Sequence, residues 1–189
     1  RSASEAEVRT ALNWNDRSWP WSDYGPAVMA AVRAGVPVLG ANLPHAMMAA
    51  TLDNRQLDFQ LKGPALKAQQ QLIRQGHCET LPEHRITALT RIQIARDMAM
   101  AQTVAQAAVP GKTVLLLAGR GHVDRSLGVP LHLPPELKFK SVGMQAEAEP
   151  KVPDAVAKFD VVWPALPAPE KDYCAELKAK MSPPTSPTQ

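Results

Sequence analysis

No apolar run among the 189 residues approaches the roughly eighteen that a membrane-spanning helix requires. The Lys and Arg residues gather into no patch, and a dispersed net charge of +3 gives no reason to expect nucleic acid as a partner. Cysteine is scarce: Cys78 and Cys174 lie far apart and form neither a C-x-x-C nor a zinc spacing. They suit either a pair in an oxidising compartment or two buried thiols, and the residues alone slightly favour the thiols. A dinucleotide fingerprint is also missing, since Gly119 and Gly121 are followed by Asp124 where the third glycine should stand. There is no internal repeat. The chain opens at Arg1 with neither an initiator Met nor a signal peptide, which leaves room for targeting information removed from it.

What is present suffices for one core. With 45% hydrophobic residues the chain is expected to form a single domain over residues 1–181, followed by a disordered tail over 182–189, where three of eight residues are proline. The organising stretch is Lys112 to Pro130, KTVLLLAGRGHVDRSLGVP. Thr113–Leu117 is apolar without polar alternation, which predicts a strand buried on both faces, as inside a parallel sheet. It stops at Ala118-Gly119, and the glycines flanking Arg120 put His122 just beyond its C-terminal end, where α/β sheets hold their ligands. His122 is therefore the first candidate site residue. A turn whose histidine caps a backbone carbonyl fits the same residues.

Helical patterns alternate with such strands. Ser4-x-x-Glu7 predicts a capping box and a short helix to about Leu12. Ser22 or Asp23 is placed to cap a helix through Ala34 that closes at Gly35, with Tyr24 at its start. Between the two helices, Trp14, Trp19 and Trp21 surround Pro20 in a loop pinned to the body by its indoles; a base-stacking or sugar-binding surface is the less favoured use. Val36–Ala41 predicts a second apolar strand, and Asn42-Leu43-Pro44 leads from it into a helix that puts His45 in the same kind of position as His122. Met47 and Met48 suit core packing or the lining of a flat apolar ligand. Pro64–Gln75 and Glu83–Ala108 predict two more helices. On the longer one Gln93, Arg96, Asp97 and Met100 share one face, a solvated stripe by default but flanked by Ile92, Ala95 and Ala99, so that a pocket-lining role stays open. Val129–Leu133 reads as a short extended piece, Leu137–Ala146 and Ala157–Trp163 as strands, and Asp172–Met181 as a last helix. Together these predict an α/β fold with a mixed, largely parallel sheet flanked by helices.

Several pieces occur together in an order that is familiar. WPWSDYGP (Trp19–Pro26), VPVLGANLP (Val36–Pro44), GHCETLP (Gly76–Pro82), QIARDMAMA (Gln93–Ala101), LAGRGHV (Leu117–Val123) with its GVP, and FDVVWP (Phe159–Pro164) extend over most of the chain. They resemble the ChaN-like haem-binding lipoproteins of the Tiki superfamily, bacterial envelope proteins associated with haem uptake. The resemblance implies a mixed α/β fold, with haem bound between two subunits as a face-to-face pair and Tyr and His side chains around the iron. Of the two tyrosines, Tyr24 lies in a matching motif and Tyr173 does not. Tyr24 is thus the expected iron ligand, since a phenolate is a hard anionic donor suited to ferric iron, and His122, matching the family's terminal histidine, is the second. His45 stands where relatives often carry Arg, and offers a ligand or a pH-sensitive contact instead. Arg120 and Arg96 are the candidates for haem propionates. The family opens with a strand ending in G-E-x-x-H that nothing before Trp14 matches, so the chain looks like the C-terminal two-thirds of such a protein.

By the same resemblance the protein is a homodimeric haem carrier without enzymatic chemistry. It would lie at the periplasmic face of the outer membrane, held by a lipid anchor outside this chain, and exchange haem with an uptake receptor or relay proteins. An oxidising envelope location implies a Cys78–Cys174 disulfide tying the C-terminal helix to the body. Two other functions stand beside this one. A metal-dependent hydrolase of the Tiki/erythromycin-esterase type would have lost two probable ligands with G-E-x-x-H, leaving His122 and Asp97 without an evident third. A degenerate envelope domain would bind no ligand.

Overall fold

The spacing Ser4-x-x-Glu7 closes the predicted capping box at the start of α1 (Glu5–Ala11): the Ser4 hydroxyl accepts from the Glu7 N–H, and the Glu7 carboxylate accepts from the Ser4 N–H at 2.7 Å. The computed structural model describes residues 1–146, 158–167 and 172–181. They divide into two units, the first Arg1–Ala41 and the second beginning at Asn42. In the first unit α2 (Trp21–Ala34) starts one residue before Ser22, so neither Ser22 nor Asp23 is its cap. The carboxylate of Asp16 accepts from the Trp21 N–H at 2.8 Å in their place. The tryptophan loop is pinned as its indoles predict. Trp14 Nε1 donates to the Trp19 carbonyl at 2.8 Å, Trp21 Nε1 donates to Glu5 at 2.9 Å, and the Trp14 and Trp21 rings meet edge to face at 5.0 Å. Gly25 is required here by space, because a Cβ would stand 2.5 Å from Trp21 Nε1.

The second unit is organised by its longest helix. In chain order come α3 (His45–Thr51), a 3-10 turn (Arg55–Phe59), α4 (Gly63–Gly76) and α5 (Glu83–Ala107). The 25 residues of α5 contain neither Gly nor Pro, so nothing in the backbone interrupts it. Leu43, Leu57, Leu61, Ile94 and Ala95 form the buried cluster, with Met48, Leu66 and Met98 packed against it. Arg91 fastens the Arg55–Phe59 turn to α5 by a two-bond fork to Asp58, at 2.8 and 2.7 Å, and a third bond to the Leu52 carbonyl at 2.8 Å. That fork holds the Asp58 carboxyl below its usual range. The polar stripe of α5 is not solvated: Asp97 is 1% and Met100 5% exposed. Two 3-10 turns, Arg120–Val123 and Val129–His132, provide the cover, the second packing directly on α5. Val129–His132 is therefore helical in character, consistent with Pro130 in its first turn, and only Leu133 of the predicted extended piece is extended.

The sheet is shorter than the sequence predicts. β1 (Val142–Ala146) and β2 (Val161–Ala165) pair in parallel, Val142 opposite Val161 and Ala146 opposite Ala165. Thr113–Leu117 and Val36–Ala41 run without regular secondary structure and pair with no strand among the described residues. Nor is Thr113–Leu117 buried on both faces, since Leu115 is 79% and Leu117 64% exposed while Val114 and Leu116 are half-buried. An apolar run sets how much cover a segment can use. Whether it becomes a sheet strand depends on neighbours that bond to its backbone, and the described residues place none there. The fold class remains α/β, with helices and a parallel strand pair. The predicted tail, 182–189, lies outside the described residues.

The last described helix, α6 (Tyr173–Met181), is joined to the turn after α4 by a Cys78–Cys174 disulfide, with Cα atoms 5.6 Å apart and no free cysteine among the described residues. Cys78 and Glu79 both take the left-handed backbone region, at φ 56° and 57°, held by bonds from their N–H groups to Gln75 and Arg74 carbonyls of α4. A sequence separation of 96 makes the closed loop long. Opening it by joint Cys78→Ala and Cys174→Ala substitution is expected to reduce the unfolding free energy in urea by about 2–4 kcal/mol. An unchanged denaturation midpoint would show that the bond does not secure α6.

Candidate functional site

The turn carrying His122 is built by the residues after it. Its N-terminal Gly119 carbonyl accepts from the His122 N–H at 2.9 Å. Asp124 then organises the exit: its carboxylate accepts from the Ser126 N–H and hydroxyl at 2.8 and 2.6 Å, and its carbonyl accepts from the Gly128 N–H at 2.8 Å. Ser141, preceding β1, donates its hydroxyl to the Val123 carbonyl. Gly128 is the second glycine fixed by close approach, since a Cβ there would overlap the His122 carbonyl and crowd that of Gly121. The GVP triplet thus sets the position of His122 through the backbone it lets pass.

The His122 ring is delivered onto the polar stripe of α5. Its Nδ1 lies 2.5 Å from Asp97 Oδ1, with side-chain exposures of 10% for His122 and 2% for Asp97. Gln93, one helical turn before Asp97, brings its amide nitrogen to 3.1 Å from each ring nitrogen. Burial pushes the Asp97 carboxyl above its usual range, opposed by the His122 hydrogen bond and by the nearby charges of His132 and Arg96. Burial also draws His132 below the ordinary histidine value, opposed by Asp97, and its Nε2 is enclosed without a hydrogen-bond partner. A neutral His132 is therefore the form the packing accommodates.

A carboxylate, an imidazole and an amide in series can orient a nitrogen donor or a base. They do not form a nucleophilic triad. The Ser126 and Ser141 hydroxyls are bonded to Asp124 and to the Val123 carbonyl, and the Gln93 amide nitrogen, equally distant from both ring nitrogens, stands over the face of the ring. Among the described residues no three His, Cys, Asp or Glu side chains are grouped to hold a metal ion.

The other expected site residues fall in different surroundings. Tyr24 belongs to the first unit, 39% exposed, with its ring 4.8 Å from Trp19 and 6.4 Å from Trp14. In the second unit Arg96 donates from Nε to Asn42 Oδ1 at 2.9 Å, and burial lowers its guanidinium from the ordinary arginine value. Arg120 shares the His122 turn and lies over the Phe159 ring at 5.4 Å. His45 is the exposed first residue of α3. Met48 packs on the core while Met47 is 56% exposed, so the two methionines do not share a role. Gln93 and Asp97, the side chains that His122 meets, were visible in the sequence only as helix-face neighbours at i and i+4. His132 and the spatial demand on Gly128 had no separate sequence signal.

The fold is α/β, with a buried histidine after an apolar segment in the second unit and a half-exposed tyrosine set among indoles in the first. The chain belongs to the family described as haem-binding uptake, Tiki superfamily, ChaN, which matches residues 1–133. Among solved structures it is similar to ChaN of Campylobacter jejuni, described with cofacial heme binding, at 25% identity and a TM-score of 0.66. The match covers 78% of this chain and 59% of that one, so this chain spans less than two thirds of that relative's length. No curated protein matches the chain.

Two expectations follow from the site's construction. Gly128→Ala should displace the His122 backbone and lower stability by roughly 1–3 kcal/mol; wild-type stability with unshifted His122 resonances would contradict the close approach. For His132, the unfolded chain takes up a proton near pH 6.5 while the folded chain resists until lower pH, so this residue's contribution falls as pH drops below about 6.5. Urea midpoints measured between about pH 7 and pH 5 should decline less steeply in His132→Leu than in wild type. Equal slopes would show that His132 takes up its proton freely in the folded state.

Proposed function

We propose that this chain binds haem reversibly and acts as a haem carrier in the bacterial cell envelope, with haem held at a contact between two copies of the chain. The observation that carries this is membership of the haem-binding ChaN family over residues 1–133. The donor set fits the ligand. Tyr24 offers a half-exposed phenol, which as phenolate is a hard anionic donor for ferric iron, and His122 offers an imidazole whose Nδ1 is engaged by a carboxylate. Both are proposed as iron-directed side chains, with Arg120 and Arg96 toward the propionates and His45 as a further ligand or a pH-sensitive contact. Haem itself would supply the redox-active iron. The chain's own residues would bind and orient it. The Cys78–Cys174 bond supports the envelope location, because disulfides persist in oxidising compartments. Exchange with an uptake receptor or relay protein completes the proposed role.

Titration of the purified chain with ferric haem should give a saturable Soret shift accompanied by dimerisation, weakened in Tyr24→Phe. A wild-type spectrum that never saturates would refute haem binding by this chain, and an unaltered titration in Tyr24→Phe would remove Tyr24 as a ligand.

A further inference from the structure

The three tryptophans of the first unit have separate tasks around Tyr24. Trp21 belongs to the join between α1 and α2: its Nε1 donates to Glu5, Arg9 lies over its ring at 5.5 Å, and its indole fills the space that Gly25 leaves open. Trp14 is a brace, donating from Nε1 to the Trp19 carbonyl at 2.8 Å. Trp19 meets the phenol ring most closely, edge to face with centroids 4.8 Å apart, against 6.4 Å for Trp14. Both backbone polar groups of Trp19 are engaged. Its N–H donates to the Asn15 carbonyl at 3.0 Å, its carbonyl takes the Trp14 indole, and the next residue is Pro20, whose ring fixes φ. Trp19 is therefore delivered by a loop with little freedom of its own. Tyr24 is the reverse case. It is the fourth residue of α2 and half-exposed, a position where a tyrosine has two χ1 rotamers open to it, and among the described residues no hydrogen bond holds its hydroxyl.

We propose that Trp19, braced by Trp14, is the positioning residue for Tyr24: its indole holds the phenol ring in one rotamer and leaves the hydroxyl unengaged for an incoming hard cation. This deepens the haem-binding reading and rests on it for the identity of that cation. The physical argument is preorganisation. A phenolate that meets iron from a fixed orientation has no rotamer freedom left to lose, so a restriction made beforehand by the indole strengthens binding. A ring contact suits the task better than a hydrogen bond to the hydroxyl, because it acts on the faces and edges of the phenol and takes none of the oxygen's lone pairs. A hydrogen bond would also fix the ring, but binding would have to break it.

The first arm of the test is made on the haem-free chain with labelled tyrosine, where the three-bond Hα–Hβ couplings report the χ1 rotamers of Tyr24, its signals identified by their loss in Tyr24→Phe. Wild type should show one rotamer, Trp19→Ala averaged couplings, and Trp19→Phe, which restores a ring, one rotamer again. Averaged couplings in wild type, or a single rotamer in Trp19→Ala, would overturn the positioning role. Trp14→Phe removes only the indole N–H that braces Trp19 and keeps the arm decisive if Trp19→Ala does not fold. Its couplings should move toward the averaged values, and unmoved couplings would overturn the brace. The second arm is ferric haem titration followed at the Soret band. Trp19→Ala should bind roughly two- to tenfold more weakly, the worth of one edge-to-face pair, and Trp19→Phe within about twofold of wild type. Wild-type affinity in Trp19→Ala would overturn the proposal. If wild type takes up no haem, the proposed function fails, and the couplings alone decide whether Trp19 fixes the phenol.

Discussion

One contact between distant parts of the chain, the Asp97 carboxylate of α5 against the His122 ring of a 3-10 turn, gives the second unit its functional face. A long helix with a polar stripe would ordinarily turn that stripe to water, where its side chains hydrate at no cost. Here Asp97 is almost fully buried, and a buried carboxyl is tolerated only with a partner that repays its lost hydration. The His122 ring is that partner. Its presence fixes how the turn lies on α5, and the turn in turn fixes the chain reversal through Asp124 and Gly128 that leads toward β1. Removing either member of the pair leaves the other buried without its main hydrogen bond, a far larger penalty than the loss of an exposed ion pair such as Arg9–Asp16.

The two units use different means to hold a candidate ligand side chain. Around Tyr24 the means are aromatic: edge-to-face rings and indole N–H bonds set a rigid surface with little demand for a deep core. Around His122 they are polar and buried, and the apolar work is done on the other side of α5 by Ile94, Leu57 and Leu61. For the proposed haem binding the division has a consequence: a phenol must stay reachable to lose its proton to ferric iron, whereas the His122 ring is already engaged by Asp97.

Much of this was legible in the sequence. The capping box at Ser4, the helices from Gly63 and Glu83, the indole-pinned loop and the final helix rest on local signals of spacing and backbone restriction, and all form where those signals place them. His122 was legible as a candidate because glycines flank it at the end of an apolar run. What was not legible depends on partners. The pattern of Thr113–Leu117 records an appetite for cover but not whether a neighbouring strand meets it. Gln93 and Asp97 look like any solvated helix face until the turn from Arg120 folds over them. The start of α2 differs for a related reason: Asp16 reaches it from outside its own turn, while Gly35 closes the helix as its sequence predicts. The cysteine residues alone slightly favour two thiols, and only family resemblance tips the expectation toward the disulfide that forms.

The central claim is that this chain takes up ferric haem through the Tyr24 phenolate. Resonance Raman spectroscopy of the ferric-haem complex tests it most directly, because excitation into a phenolate-to-iron charge-transfer band enhances phenolate modes only when the oxygen is bonded to iron. The account predicts those modes in wild type and their loss in Tyr24→Phe. A wild-type complex without them, or modes that survive in Tyr24→Phe, would contradict it.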